Sequence, residues 1–262
     1  PPLDSGTVGL FVSQSGETKD VLNALYAAEK QGMQCFGLAN VIGSTLTKAS
    51  VSSLPLCCGY EISVPATKTF TNQVVTFLYL ACRLAGRDTR ALDAIPELME
   101  QTIALTTPQV QAITPDVNAW EDCYSLGYGT TYPMALEGAL KLKEITYSHC
   151  EGMLSTEFKH GPLSAITEGF PVLFSVDPLD VPVIVSGINE VTCRGGRAIA
   201  IGQENASLRA NASDLIVLPD ASPEISSLLS VLPLQLLSYY MSVARGYDPD
   251  FPRNLSKTLT VD

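Results

Sequence analysis

Twice along this chain a short apolar run breaks off in a turn and passes at once into a longer stretch of helical periodicity. That succession is the signature of βαβ units, in which parallel strands are covered by helices. Val8-Gly9-Leu10-Phe11-Val12 reads as a buried strand and Ser13-Gln14-Ser15-Gly16 as the tight turn after it. Residues 17–32 then read as a helix, with Val21, Leu22, Leu25 and Ala28 on one face and Gly32 as its stop. Residues 34–38 form the next expected strand and 53–56 a third. An apolar helix follows over 67–86 through Phe70, Val74, Phe77, Leu78 and Ala81, and its composition predicts near-complete burial.

A polar, proline-bearing stretch at 87–121 reads as connecting helices and a linker, and the pattern then restarts. Strands are expected at 123–126, 171–176, 198–201 and 215–218, a turn at 127–131, and a helix at 133–148 with Pro133 in its first turn. Residues 223–246 form an apolar helix that Pro233 kinks or divides. The expected architecture is α/β, with two tandem subdomains at 1–86 and 123–246, each a parallel sheet flanked by helices. A connector at 87–122 joins them, and an irregular tail at 247–262 carries Pro249 and Pro252. The halves look like a distant duplication. A chain of 262 residues buries enough surface to need no disulfide or metal staple.

Charge narrows the function. The 16 basic against 27 acidic residues leave −11, which repels a nucleic-acid backbone and argues against a polybasic membrane patch. The longest clean apolar run, residues 74–82, is far short of the ~20 residues that span a bilayer, so no membrane helix is expected. Seven cysteines at irregular spacing, without a CxxC pair, read as free thiols of a cytoplasmic protein. With two histidines, His149 and His160, no metal site and no cofactor are expected. The opening Pro1-Pro2-Leu3-Asp4 has neither an initiator methionine nor a signal-peptide pattern, and reads as a processed product or a piece of something longer.

Four stretches hold residues able to carry chemistry. Ser13-Gln14-Ser15-Gly16-Glu17-Thr18 places three hydroxyls and a glycine where a strand opens into a helix, a position that favours an anion. The same pattern also serves as a plain N-cap, Ser15 followed by Thr18. Lys141 and Glu144 lie three apart on one helix face, with Glu137 and Ser148 extending the stripe opposite Leu140, Leu142 and Ile145. Such a stripe is either a salt-bridged exposed face or a carboxylate base beside a proton-carrying lysine. His160 precedes Gly161-Pro162 in an expected loop, and Lys257 ends a tail that is neither acidic nor low-complexity. Spacing alone does not choose between a solvated end charge and a lysine folded back onto a carbonyl.

The segments S13QSGET, E61ISVPATKTFTNQ, L126GYGTTYPMALEGALKLKEITYSH, E157FKHGPL and P252RNLSKTLTVD together resemble one family. They are similar to the sugar-isomerase (SIS) halves of the glutamine–fructose-6-phosphate transaminases, also called glucosamine-6-phosphate synthases, over nearly the whole chain. The resemblance implies paired SIS subdomains with fructose 6-phosphate in a crevice between them, converted with ammonia to glucosamine 6-phosphate. It implies phosphate binding at Ser13, Gln14, Ser15 and Thr18, and proton transfer by Glu144 with Lys141 as companion. It further implies a ring-opening His160 donated by a neighbouring subunit, a Schiff base at Lys257, and substrate-lining positions at Val64 and Ser256. A homodimer with shared sites follows, as does a glutaminase domain normally in the same chain, so glutamine is not a substrate of this stretch. Departures from the family are Ala66, which lacks a hydroxyl, and Ser256 in place of alanine. The strand and Gly-Thr-Ser turn expected before Val8 are absent, and residues 177–190 look too short for the family's helix-bearing segment. The alternatives are a non-catalytic phosphosugar-binding module and a related SIS deaminase. The retention of Lys141, Glu144, His160 and Lys257 weighs against the first, and the PRNLSKTLTVD ending against the second.

Overall fold

The computed structural model describes residues 6–256, and by their contacts these fall into two compact units. The first comprises the chain up to Ile62 together with Ala66–Arg87. It runs β1 (Val8–Ser13), α1 (Lys19–Lys30), β2 (Gln34–Ala39), α2 (Thr45–Ala49), β3 (Ser52–Pro55) and α3 (Lys68–Leu84). The three strands are parallel in the order β1-β2-β3, with Val12 beside Leu38 and Leu38 beside Leu54. Helix α1 covers the sheet with the face its periodicity predicts: Leu25 and Ala28 are buried, and Val21 and Leu22 pack on Cys35, Ala39 and Leu46. Gly32 ends it as expected, at φ 76, a left-handed value that glycine adopts without steric cost.

The second unit holds Ser63–Pro65 and everything from Asp88 onward. A 3-10 turn leads into α4 (Ile95–Val117), then β4 (Asp122–Gly127), α5 (Tyr132–Thr146), β5 (His149–Leu154), β6 (Pro171–Ser175), α6 (Val181–Thr192), β7 (Arg197–Gln203), α7 (Ala206–Asn211) and β8 (Asp214–Leu218). Helices α8 (Pro223–Leu229) and α9 (Val231–Ala244) close it. The five strands are parallel in the order β5-β4-β6-β7-β8, a doubly wound sheet. Its core is apolar: Leu126, Phe174, Ile184, Ile188 and Ala200 are inaccessible to solvent.

Several expectations change. The stretch 87–121 is mainly one 23-residue helix, α4, whose Thr102, Thr106, Val110 and Val117 are buried. Strand β5 and helices α2, α6 and α7 went unrecognised; α6 begins in the segment read as shorter than the family's helix-bearing one. The 223–246 helix does divide, after Leu229. The ring of Pro233 would strike the carbonyl four residues back, which is that of Leu229. Helix α3 is not buried as its composition suggests: only Thr69 and Thr71 are, while Phe77, Tyr79 and Leu84 are exposed. Pro223–Ala244, although interrupted by serines, Glu224 and Gln235, is 22 residues and apolar enough to cross a membrane by length and composition, yet 67% of its most apolar 18-residue window is buried within the fold, as suits a core helix.

Candidate functional site

The turn after β1 is built from its own hydroxyls. Ser13 is buried at the strand end, and its Oγ accepts the Gly16 N–H at 3.0 Å and pairs with Thr18 Oγ1 at 2.9 Å. Ser15 Oγ accepts the Glu17 N–H at 3.1 Å, while the Gln14 carbonyl accepts the Asn40 N–H. Gly16 has φ 69, and a Cβ there would lie 2.0 Å from Ser44 Oγ, so neither the backbone nor the space admits a side chain. Glu17 turns away from the turn to accept the Thr45 N–H at 2.8 Å, where α2 begins. That bond, with Lys48 nearby, holds its carboxyl below the ordinary glutamate range. Helix α1 starts two residues later than expected, and its N-cap is Thr18, whose side chain makes no capping bond. Ser15 is therefore not a helix cap. The plain reading of this motif fails, and its serines and threonine surround an uncapped helix start, where N–H groups and the helix dipole favour an anion.

The E61ISVPATK segment reveals a residue that its sequence does not announce. The buried Glu61 carboxylate accepts the N–H groups of Thr67 and Lys68, both at 2.9 Å, and the Thr69 hydroxyl. The helix N-terminus of α3 is thus already neutralised by an internal anion. Val64 and Ala66 are half-buried in the bend it shapes.

In the second unit the charged stripe of α5 faces inward. Lys141 is 4% exposed, and its Nζ lies 2.6 Å from Glu144 Oε2 and 3.3 Å from Glu137 Oε1. Of the residues expected on the opposite, core side, Leu142 and Ile145 are buried and Leu140 is exposed. Ser148 is not on the stripe, because α5 ends at Thr146 and Tyr147 turns left-handed; Ser148 instead donates to the Trp120 carbonyl at 2.7 Å. Glu144 reaches beyond the pair into a cavity of about 470 Å³ that Tyr147, His149, Arg253, Asn254 and Leu255 also line. Among the described residues its Oε1 has no hydrogen-bond partner.

Arg245 holds Ser148, one of the residues that line this cavity. Its guanidinium donates to the carbonyls of Asn118, Trp120 and Thr146 and to Ser148 Oγ, at 2.6 to 2.9 Å. Burial pushes it below the usual arginine range. The carbonyls at the ends of α4 and α5 carry the partial negative charge that holds it.

His160 is exposed on the 3-10 turn Phe158–His160, which the buried Phe158 anchors, and it does not line the cavity holding Glu144. Ser256 is the last described residue and is exposed. Lys257 lies outside the described residues. The structure therefore brings together Ser13, Gln14, Ser15 and Thr18 in one turn and Lys141 with Glu144 on one helix. Sequence reasoning missed Glu61, Tyr147, Arg245 and Arg253. Three of them fall inside the segments that carry the resemblance, yet those segments do not show what they contact, because each acts on a partner distant in sequence or on a turn it does not itself form.

Comparison with known proteins gives the same picture. A family model for the SIS domain matches residues 118–245. A glutamine–fructose-6-phosphate aminotransferase (isomerizing) from Pyrobaculum aerophilum is 40% identical over 267 residues, covering 99% of this chain and 44% of the relative. Its counterpart from Methanothermobacter thermautotrophicus is 42% identical over 264 residues, with the same 99% and 44% coverage. The chain thus spans less than half the length of these curated relatives. Among solved structures, the C-terminal domain of glucosamine-fructose-6-phosphate aminotransferase from Francisella tularensis superposes with a TM-score of 0.87 at 32% identity, over 94% of this chain and 73% of that one. A glucosamine-6-phosphate deaminase from Thermotoga maritima reaches 0.85 over 98% and 76%, but at 24% identity it shows the fold alone.

Proposed function

Because this chain belongs to the SIS-domain family, within the C-terminal isomerase portions of the glutamine–fructose-6-phosphate aminotransferases, we propose that it binds fructose 6-phosphate and catalyses its isomerisation. The observation that carries the catalytic half of this reading is the buried Glu137–Lys141–Glu144 cluster opening into a cavity. Mere binding of a phosphosugar needs no buried lysine held between two carboxylates.

The roles follow from the chemistry. The Ser13, Ser15 and Thr18 hydroxyls, the Gln14 backbone and the start of α1 take the phosphate without requiring a positive surface. Lys257 adds to the C2 carbonyl of the open-chain sugar, and loss of water leaves an iminium that acidifies the C1 proton. Glu144 removes that proton and returns it to C2, while Lys141 holds the carboxylate in position. Val64 and Ser256 line the sugar. Ammonia displaces Lys257 from C2 by transimination before the proton moves, so the free lysine is regained and the product is glucosamine 6-phosphate; without ammonia, water hydrolyses the iminium and Glu144 moves the same proton through the enediol of the free ketose, giving glucose 6-phosphate. His160, exposed and away from Glu144, serves as the ring-opening group of a second copy in a homodimer.

Incubation of the purified chain with fructose 6-phosphate, read by a coupled dehydrogenase, is expected to yield glucose 6-phosphate. Binding without product would leave a phosphosugar-binding module and overturn the enzymatic reading. Borohydride is expected to trap sugar on Lys257, and the Lys257→Arg variant to trap none. Mixed His160→Ala and Glu144→Gln dimers are expected to regain part of the activity; failure where mixed dimers form would return His160 to its own subunit. Added glutamine is expected to release no glutamate.

A further inference from the structure

Helix α5 ends on a residue poorly suited to its backbone. Tyr147 adopts φ 61 and ψ 14 at the C-cap, the left-handed region where a side chain crowds the carbonyl and glycine or asparagine is usual. A bulky residue persists there only when its surroundings hold it. What holds it is the segment entering the tail. The Tyr247 ring lies 4.8 Å away between centroids, and the Arg253 guanidinium sits 4.0 Å from the Tyr147 ring centre, well inside cation–π range. The Arg253 backbone N–H donates to Tyr147 Oη at 3.0 Å. Pro249, between these contacts, accepts a further bond from Ser63 Oγ at 2.9 Å.

Tyr147 therefore stands between two parts of the cavity. It follows Glu144 by three residues, and through Arg253 it grips the strand of chain whose Asn254 and Leu255 line the same wall. Lys257 is the second residue after Leu255.

We propose that Tyr147 is a positioning residue. It clamps residues 247–255 onto the end of α5 so that the segment leading to Lys257 enters the cavity Glu144 faces. The proposal rests on the roles assigned above to Glu144 and Lys257. The left-handed backbone at the helix end fixes the direction of the ring, and the ring fixes the tail.

Two variants of the full 262-residue chain test it. Tyr147→Gly relieves the left-handed backbone while removing ring and hydroxyl; Tyr147→Phe keeps the stacking and loses only the acceptor. For Tyr147→Gly, KM for fructose 6-phosphate is expected within about twofold of the parent, while kcat and borohydride trapping on Lys257 each fall about tenfold. Tryptic cleavage after Arg253 is expected to accelerate about tenfold in the same variant. Tyr147→Phe is expected to lose about threefold in kcat at unchanged KM. A merely structural tyrosine would lower the thermal midpoint and leave kcat alone. Parental kcat and trapping in a folded Tyr147→Gly protein would overturn the proposal; should that variant not fold, parental kcat in Tyr147→Phe would do so. If the parent itself traps no sugar, the functional reading fails separately. The tryptic rate then decides the clamp, faster cleavage supporting it and an unchanged rate removing it.

Discussion

The turn after β1 and the turn after β6 each open a run of three adjacent parallel strands, β1-β2-β3 and β6-β7-β8, yet they are chemically opposite. Each follows a strand that ends on a buried serine, Ser13 or Ser175, and each opens into a 12-residue helix. The first is lined by hydroxyls, and its one acidic side chain, Glu17, is drawn off to α2. The second carries Asp177 and Asp180. Asp177 is buried and accepts the Leu179 N–H at 2.9 Å and the Ser227 hydroxyl at 3.1 Å. Burial and then Asp177 raise the Asp180 carboxyl above its ordinary range. A helix start made of hydroxyls accepts an anion; one already furnished with carboxylates repels it. The corresponding turn is thus lined by hydroxyls in one unit and by carboxylates in the other, and the phosphate proposed above suits only the first.

If this contrast holds, changes in the second unit's charge cluster should cost stability, and changes in the first unit's turn should cost affinity. The largest effect is expected from Lys141→Met, which leaves Glu137 and Glu144 without their shared cation. Chemical denaturation should show a loss of about 3–5 kcal/mol, in line with breaking other buried ion pairs. Next comes Ser15→Asp, which gives the first turn the chemistry of the second. Calorimetric titration with fructose 6-phosphate should show affinity weakened about 100-fold by like-charge contact, with an unchanged thermal midpoint. Ser15→Ala, which removes only a donor, should cost about tenfold.

A smaller effect separates the two turns by pH. The folded-state value of Asp180 is raised, so its contribution to stability is complete below the ordinary carboxylate range and is lost as pH rises through the raised value. Asp180→Asn should therefore raise the thermal midpoint by about 1–2 °C at neutral pH and by nothing in acid. Glu17 has the opposite sign: its value is lowered, so its contribution is present above the ordinary range and fades as pH falls through the lowered one. Glu17→Gln should lower the midpoint slightly at neutral pH only. A common pH trend for both variants would break the contrast.

Strands β1, β2, β3, β4, β6, β7 and β8 were legible because parallel strands are short, apolar and bounded by turns. Both motifs that carry the proposed site were legible too. Burial was not. Helices α3 and α9 are both strongly apolar, but α9 packs against α4 and α5, whereas the first unit has three strands among the described residues and α3 stays half-exposed. Composition states what a helix can bury and says nothing of whether a partner exists. The α5 stripe fails for a related reason. Periodicity shows that Glu137, Lys141 and Glu144 share a face, yet their ionic pairing lets that face be buried along with Leu142 and Ile145, and only Leu140 of the expected core side is exposed. Strand β5 escaped notice because Glu151 and Gly152 interrupt its apolar pattern.

The central claim is that Glu144 moves a sugar proton in a chain that holds the phosphate at the Ser13–Thr18 turn. Incubation with fructose 6-phosphate in deuterium oxide, read by mass spectrometry of the recovered sugar phosphates, tests it most directly. The account predicts deuterium at the exchanging carbon with the parent chain, slower labelling with Ser15→Ala that recovers at saturating substrate, and none with Glu144→Gln although that variant still binds. Labelling by Glu144→Gln at the parental rate would contradict it, as would a parent that binds the sugar and exchanges nothing.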